Sequence, residues 1–241
     1  MSALTWTFAG ALAAALAGAC HEGDYLSYDW DDRQVLCSEA IDDITAPSQE
    51  LLVENELEFA HDLQRVALFH AHKPGETVTY AMIEKTLELA DKWGLDYITY
   101  DELVAGPRRG GIALAFDDDS VDLWLTLRDM FAAHHARVTF YVTRYYEMTD
   151  DTLAGLEQLA ADGHDLEPHS VNHLHVPDYL AAHGVAGYMT DEAVPSMQVL
   201  AAAGHPYTSY AYPFGQHTDE LDRALLQYVQ RVRVSPGSCP H

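Results

Sequence analysis

Seven short runs rich in β-branched and aromatic residues recur along the chain: Arg65 to His70, Asp96 to Tyr100, Ile112 to Phe116, Val138 to Val142, His164 to Pro168, Tyr207 to Tyr212 and Arg231 to Val234. Most are separated by stretches of helical length whose apolar residues return every three or four positions, so the pattern predicts strands alternating with helices. Strands joined through helices pair in parallel, which implies an α/β barrel or an open sheet. The helix ends are legible too. Thr149, Thr190 and Thr218 each precede acidic residues and an apolar-periodic run, where a hydroxyl cap and first-turn carboxylates suit the unpaired N–H groups. Gly163 and Gly204 follow Ala-rich stretches in the place of a C-terminal stop. Trp124, Leu127 and Phe131 fall at helical spacing and read as core.

The rhythm is absent before Arg65. Residues 3 to 19 are almost wholly apolar and end in Ala17-Gly18-Ala19-Cys20, the outline of a secretory signal with a small-residue cleavage site, or of a lipoprotein signal that would leave a lipid on Cys20. Two features depart from that outline: no Lys or Arg precedes the run, and Leu16 lies one place early for a lipoprotein box. A buried Ala-rich helix is the alternative. From His21 to about Glu56 the chain is acidic, with Asp29-Trp30-Asp31-Asp32 and little periodicity. The expected plan is therefore a signal over 1–20, an acidic tether or N-terminal layer over 21–64, and one catalytic domain over 65–241, destined for the envelope, the periplasm or the outside of the cell.

Composition changes this picture little. Thirteen basic against 38 acidic residues give a formal charge of −25, a field that repels phosphate backbones and argues against nucleic acid as a partner. Three cysteines, Cys20, Cys37 and Cys239, are too few for a disulfide framework or a zinc knuckle. Cys37 and Cys239 either pair in an oxidising compartment or stay as inert thiols.

Chemistry enters at three strand ends. Ala115-Phe116-Asp117-Asp118-Asp119 follows an apolar strand, and the C-terminal ends of parallel strands are where α/β barrels build active sites. Three adjacent carboxylates repel one another, so a site that keeps them together holds the charge with a cation or hydrogen bonds; a solvated acidic loop is the bland alternative. His169-Ser170-Val171-Asn172-His173 offers two histidines at i and i+4, one face of a helical turn, from which two imidazoles can reach one ion. Nitrogen ligands with one carboxylate favour zinc or a neighbouring divalent metal over magnesium or calcium, although 14 histidines make such a spacing easy by chance. Ala211-Tyr212-Pro213-Phe214-Gly215 is a turn that can aim a backbone N–H at a ligand.

Together and in this order, the three motifs resemble the NodB-homology polysaccharide deacetylases, carbohydrate esterase family four, over roughly Arg65 to Val234. The resemblance implies a distorted, incomplete (β/α) barrel and a metal-dependent hydrolase that removes N-acetyl groups from a polysaccharide or oligosaccharide. By the family pattern Asp117 would be the catalytic base, Asp118, His169 and His173 the metal ligands, and Pro213 with the backbone N–H of Phe214 the oxyanion and substrate contact. The partner implied is an N-acetylated glycan and the cofactor a divalent metal, zinc for choice.

Three departures qualify the match. Asp119 stands where the family has glycine, a place that asks for left-handed backbone. Ala211 stands where many members have an arginine that pairs with the catalytic aspartate. The closing Leu-x-His, whose histidine protonates the leaving amine, is not found before the chain ends at Ser238-Cys239-Pro240-His241, so the barrel is expected to lack its last segment and its activity to be impaired. His241, at the terminus, makes a poor general acid. Of the other histidines, His70, His72 and His205 are the substitutes to examine first, while His134, His135, His164, His175 and His183 read as surface or packing residues. A catalytically impaired glycan-binding or metal-binding protein and an O-acetyl glycan esterase are the alternative readings.

Overall fold

The computed structural model describes residues 26–45 and 49–239. The expected signal over 1–20, the lipid anchor at Cys20 and the terminal His241 lie outside the described residues. Within them, the acidic stretch ahead of Arg65 is built into the domain. It forms β1 (Ser27–Tyr28), β2 (Val35–Cys37), β3 (Glu39–Ala40) and α1 (Gln49–Leu63). The buried face of α1 is Val53, Leu57 and Ala60, a helical spacing that its many acids had masked.

The alternation then runs as expected through β4 (Val66–Ala71), α2 (Tyr80–Trp93), β5 (Asp96–Tyr97), β6 (Gly111–Asp118), α3 (Val121–Leu125), α4 (Arg128–Ala133), β7 (Thr139–Val142), α5 (Asp150–Ala161) and β8 (Asp165–Pro168). It continues through α6 (Val176–Tyr188), α7 (Val194–Ala202), β9 (Ser209–Ala211), α8 (Asp219–Leu225) and β10 (Arg231–Val234). Thr149 and Thr218 cap α5 and α8, each accepting from the amide three residues on, which satisfies one otherwise unpaired N–H. Gly163 and Gly204 have φ of 93° and 97° at helix ends, the left-handed stop that glycine adopts without a Cβ clash. Thr190 is a correction. It starts no helix; it lies in a π-helical turn, Met189–Ala193, and its hydroxyl donates back to the Ala186 carbonyl.

The strands make a distorted, incomplete (β/α) barrel from two sheets. The larger has the order β1-β4-β6-β7-β8, with β3 beside β4 and β5 beside β6, and all its pairs except β1 with β4 are parallel. The smaller is parallel, in the order β2-β10-β9. The strand flanking β10 opposite β9 is thus β2, from the N-terminal stretch. Chain crossing from β2 to β3 links the sheets on one side, through Ser38 N to Val234 O and Ile41 N to His70 O. On the other side the Glu167 carboxylate accepts from the amides of Thr208 and Ser209, and so bridges β8 to β9.

Side chains alternate across each strand as the pleat requires. On β4, β6 and β7 the outward residues Ala67, Phe69, Ile112, Leu114, Phe116, Phe140 and Val142 pack on the helices, where Trp124, Leu127 and Phe131 are also buried. The inward set, Val66, Leu68, Ala113, Ala115 and Tyr141, fills the barrel with Tyr28, Leu36, Tyr100 and Ala211. On β9 and β10, Tyr210, Val232 and Val234 face a separate apolar layer under α6, α7 and α8. One step further along the inward rows of β4, β6, β8 and β10 stand His70, Asp117, His169 and Arg233. The barrel is a packed core closed at one end by a titratable layer.

Candidate active site

A cleft of about 350 Å³ opens over that layer, lined by His70, His72, Asp117, Asp118, His169, His173, Tyr212, Phe214, Gly215, Arg233 and Ser235. The fold therefore brings five of the six residues singled out from sequence to one cavity; Pro213 is buried in its turn and does not line it. His205 is elsewhere, bonded to Glu157 on the outer surface.

Asp118, His169 and His173 converge, with one ligand atom from each lying within 4.8 Å of the others. Asp118 Oδ1 is 3.8 Å from His169 Nε2 and 3.1 Å from His173 Nε2, yet it is buried without a well-aligned hydrogen bond. Lone pairs aimed at a common point, not at one another, suit a shared divalent cation. The second partners agree. His169 Nδ1 donates to the Ala211 carbonyl at 2.8 Å, which leaves Nε2 as the free lone pair. Burial holds His169 down to about 4, against the pull of Asp117, so its imidazole is neutral at physiological pH and available as a ligand. Burial would raise the Asp118 carboxyl, but the surrounding imidazoles of His173, His169 and His72 outweigh it and keep the group ionised, well below the usual carboxylate range. The donor set fits a divalent metal.

The histidine pair does not sit on a helical turn. Residues 169–173 form an irregular bend in which Ser170 and His173 both take left-handed φ, 68° and 54°. Positive φ at such residues is uncommon and has to be held by surrounding contacts. Here the His173 amide donates to Ser170 Oγ, and Thr143 Oγ1 donates to the Ser170 carbonyl. A second correction concerns Asp119. The left-handed residue at the end of β6 is Asp118, with φ of 88°, while Asp119 points away to pair with Arg144 at 3.0 Å.

Asp117 is 3% exposed. The cation expected to be missing beside it is present, but from β10: Arg233 Nη2 donates to Asp117 Oδ2 at 2.5 Å. This pairing holds one carboxylate oxygen, while Oδ1 is buried with no hydrogen-bond partner among the described residues. An oriented carboxylate with one unbonded oxygen beside a cleft is what a general base needs. The signal that could have found Arg233 lies in its strand. Arg-Val-Arg-Val puts Arg231 and Arg233 on the same face, opposite the valines that enter the apolar layer.

Two histidines at the end of β4 accompany Asp117, with one ring nitrogen of His70, one of His72 and one carboxylate oxygen of Asp117 lying within 4.8 Å of one another. Their partners set opposite charge states. Ser38 Oγ accepts from Arg233 Nη1 at 3.0 Å and is hydrogen-bonded to His70 Nδ1 at 2.9 Å. Burial, with Arg233 and the neighbouring imidazoles, keeps His70 well below the ordinary histidine range. His72 instead donates from Nδ1 to Asp42 at 2.5 Å, while Asp42 also accepts from the His72 amide and from Thr77 Oγ1. Burial would lower His72, but Asp42, Asp117 and Asp118 push it up to about 9, so it stands as an imidazolium beside the base. Trp124 Nε1 steadies its backbone by donating to the His72 carbonyl at 3.1 Å.

Phe214 has φ of 57°, is 57% exposed, and stacks against His173 with ring centroids 4.7 Å apart. Cys37 and Cys239, in the apolar layer with Val232 and Val234, are joined in a disulfide with Cα atoms 5.8 Å apart, which fastens the end of β2 to the segment after β10.

Comparison with known proteins agrees with the geometry. The family described as polysaccharide deacetylase matches residues 105–232, just over half of the chain. The chain belongs to the polysaccharide deacetylase family. Among solved structures it is similar to IcaB from Ammonifex degensii, at 15% identity and a TM-score of 0.59, over 70% of this chain and 84% of that one. It is also similar to the deacetylase domain of BpsB from Bordetella bronchiseptica, at 16% identity and a TM-score of 0.51, over 88% of this chain and 97% of that one. At such identities these likenesses speak for the fold. No curated protein matches. Among the described residues no helix is long and apolar enough to cross a membrane.

Proposed function

We propose that this deacetylase removes N-acetyl groups from an N-acetylated polysaccharide or oligosaccharide, using a divalent metal, zinc for choice, at Asp118, His169 and His173. A metal held there supplies Lewis-acid polarisation of the acetamido carbonyl and lowers the pKa of water beside it. Asp117 accepts the proton of the attacking water on Oδ1, while Arg233 keeps Oδ2 occupied. His72, oriented by Asp42, gives its Nε2 proton to the departing nitrogen as the C–N bond breaks. The products are acetate and a free amine. The backbone N–H of Phe214, in the Pro213-Phe214 turn at the mouth of the cleft, is assigned to the developing oxyanion, a contribution of about 3 to 4 kcal/mol for a well-placed donor. His70 stays a neutral imidazole within the cleft. Residues 1–20 are assigned to export, with Cys20 as a lipid site, so that the domain meets its glycan in the cell envelope or outside the cell.

The observation that carries this reading is the grouping of Asp117 with His72, which Asp42 orients, in a cleft that also holds three convergent metal-type ligands. His72, opposite Asp117, is the residue that supports turnover over a merely binding role in the absence of Leu-x-His. The test is metal content and turnover of a chito-oligosaccharide. Near-stoichiometric metal that His169→Ala and His173→Ala each abolish, with Asp117→Asn keeping metal but losing turnover, is the expected result. Metal retained in both histidine variants, or turnover retained in Asp117→Asn, overturns the assignment.

A further inference from the structure

The loop that carries His169 and His173 has a support on its outer side that the reaction itself does not use. Glu192 lies in the π-helical turn Met189–Ala193 between α6 and α7 and is 1% exposed. Its carboxylate grips one residue at two points: Oε2 accepts from the Asn172 amide at 2.8 Å, and Oε1 from Asn172 Nδ2 at 2.6 Å. Asn172 immediately precedes His173. No ion pair of Glu192 is found among the described residues, so this buried carboxylate is satisfied by the loop alone, and burying such a group is costly unless its bonds are kept.

The π-turn explains why the side chain points there. A π-turn inserts one residue into a helix, and each inserted residue rotates the turn before it by about 100° relative to the turn after it. Neighbouring Thr190 and Asp191 are directed outward, to the Ala186 carbonyl and the Tyr179 hydroxyl, while Glu192 alone is turned under the loop. A helix of ordinary register through this segment would carry Glu192 off Asn172. The strained backbone of Ser170 and His173 needs such an external hold, because relaxation of either φ would swing the His173 ring away from Asp118.

We propose that Glu192 is a positioning residue for the metal centre, which fixes the 169–173 loop in its ligating form by clamping Asn172. The proposal rests on the metal reading of Asp118, His169 and His173. It is tested on the full chain by zinc titration, by the visible spectrum of the cobalt form and by amide hydrogen exchange across 169–173. Glu192→Ala should weaken metal affinity about 10- to 100-fold, the range for loss of an outer-sphere partner, alter the cobalt spectrum and speed exchange of the Asn172 amide. Saturating metal should restore kcat with KM unchanged. Glu192→Gln should behave nearly as wild type, because the amide still accepts from the Asn172 N–H and can bond a flipped Asn172 side chain. If Glu192→Ala does not fold, Asn172→Ala removes half of the clamp from the other side and should weaken metal binding several-fold. Wild-type affinity and exchange in Glu192→Ala, or in Asn172→Ala where that substitutes, overturn the clamp. Wild-type protein that binds no metal overturns the metal reading and the clamp together, whereas metal lost in His169→Ala but unchanged in Glu192→Ala overturns the clamp alone.

Discussion

The two ends of the same barrel strands carry the same kinds of side chain in opposite electrical states. On β8 the inward row is Asp165, Glu167 and His169, and only the last belongs to the cleft. At the cleft end, Asp117 meets Arg233 and Asp118 meets two imidazoles, so both carboxylates have partners suited to charge. At the opposite end, burial and the neighbouring Asp101 push Asp165 up to about 7, and burial with Asp165 pushes Glu167 well above its ordinary value. Among the described residues neither is paired with a cation; Asp165 accepts from Thr139 and Glu167 from Thr208 and Ser209. What differs is the company each carboxylate keeps, a cation or imidazoles at the cleft end and only hydrogen-bond donors at the other.

The sharpest way to break the contrast is to make Asp117 resemble Glu167. Arg233→Met strips the cation from a buried carboxylate, which typically costs about 3–5 kcal/mol, and the remaining acid should protonate. Chemical denaturation should show that loss, and kcat should fall by about 10²- to 10⁴-fold through the missing base. Wild-type stability with wild-type turnover would mean that the Arg233 pairing is incidental.

Next in size is His72→Gln, which should lower kcat by about 10²- to 10⁴-fold without loss of metal. His70→Gln should cost less, since that ring is neutral. Because His72 is raised to about 9 from an ordinary 6.5, its pairing with Asp42 contributes stability in full below about 6.5 and loses it as pH rises through about 9. The metal-free protein should show that decline in thermal melts over this window, and His72→Gln should flatten it. Activity should have an alkaline limb at or below about 9, since a nearby metal favours the deprotonated ring.

Reduction of the Cys37–Cys239 disulfide, or Cys37→Ser with Cys239→Ser, should lower stability by about 2–4 kcal/mol. Denaturation of the oxidised and reduced forms measures it. The loss should also loosen β2, and with it Ser38, so kcat should fall more than substrate affinity.

The smallest effect belongs to the opposite end. Asp165→Asn, which mimics the neutral acid, should change stability at acid pH by under about 1 kcal/mol and leave turnover untouched. A carboxyl raised from 3.8 to about 7 contributes fully below about 4 and loses that contribution as pH rises through 7. The variant should therefore lack the wild-type decline in melting temperature between pH 4 and 7. An activity loss in Asp165→Asn would undo the separation between the two ends.

Much of this was legible in the sequence, for identifiable reasons. All seven strands read from β-branched runs are present because their outward faces are apolar enough to mark them, although the run from Asp96 stops at Tyr97 and turns into a short helix at Tyr100. The strands β1, β2 and β3 are only two or three residues long, too short for a period of two to register. The residues proposed as ligands and base lie within single motifs and could be found. Their partners could not: Asp42 meets His72 across 30 positions and Arg233 meets Asp117 across 116, and no local pattern encodes such pairs. The spacing of His169 and His173 does place their rings together, but by a bend held by Ser170 and Thr143 and not by the helical turn that spacing suggests.

The placement of β2 beside β10 also bears on how the protein is made. Ser38 and Arg233, which hydrogen-bond within the site, are 195 residues apart, so ribosomal synthesis delivers one long before the other. Until β10 emerges, the strands already released carry Asp117 without its guanidinium and an open flank where β10 belongs. Contacts of such sequence separation close late and slowly, and partly built sheets with unpaired edges are prone to associate. The nascent chain is therefore vulnerable through most of its synthesis, and the titratable layer that closes the barrel is among the last parts of the molecule to exist.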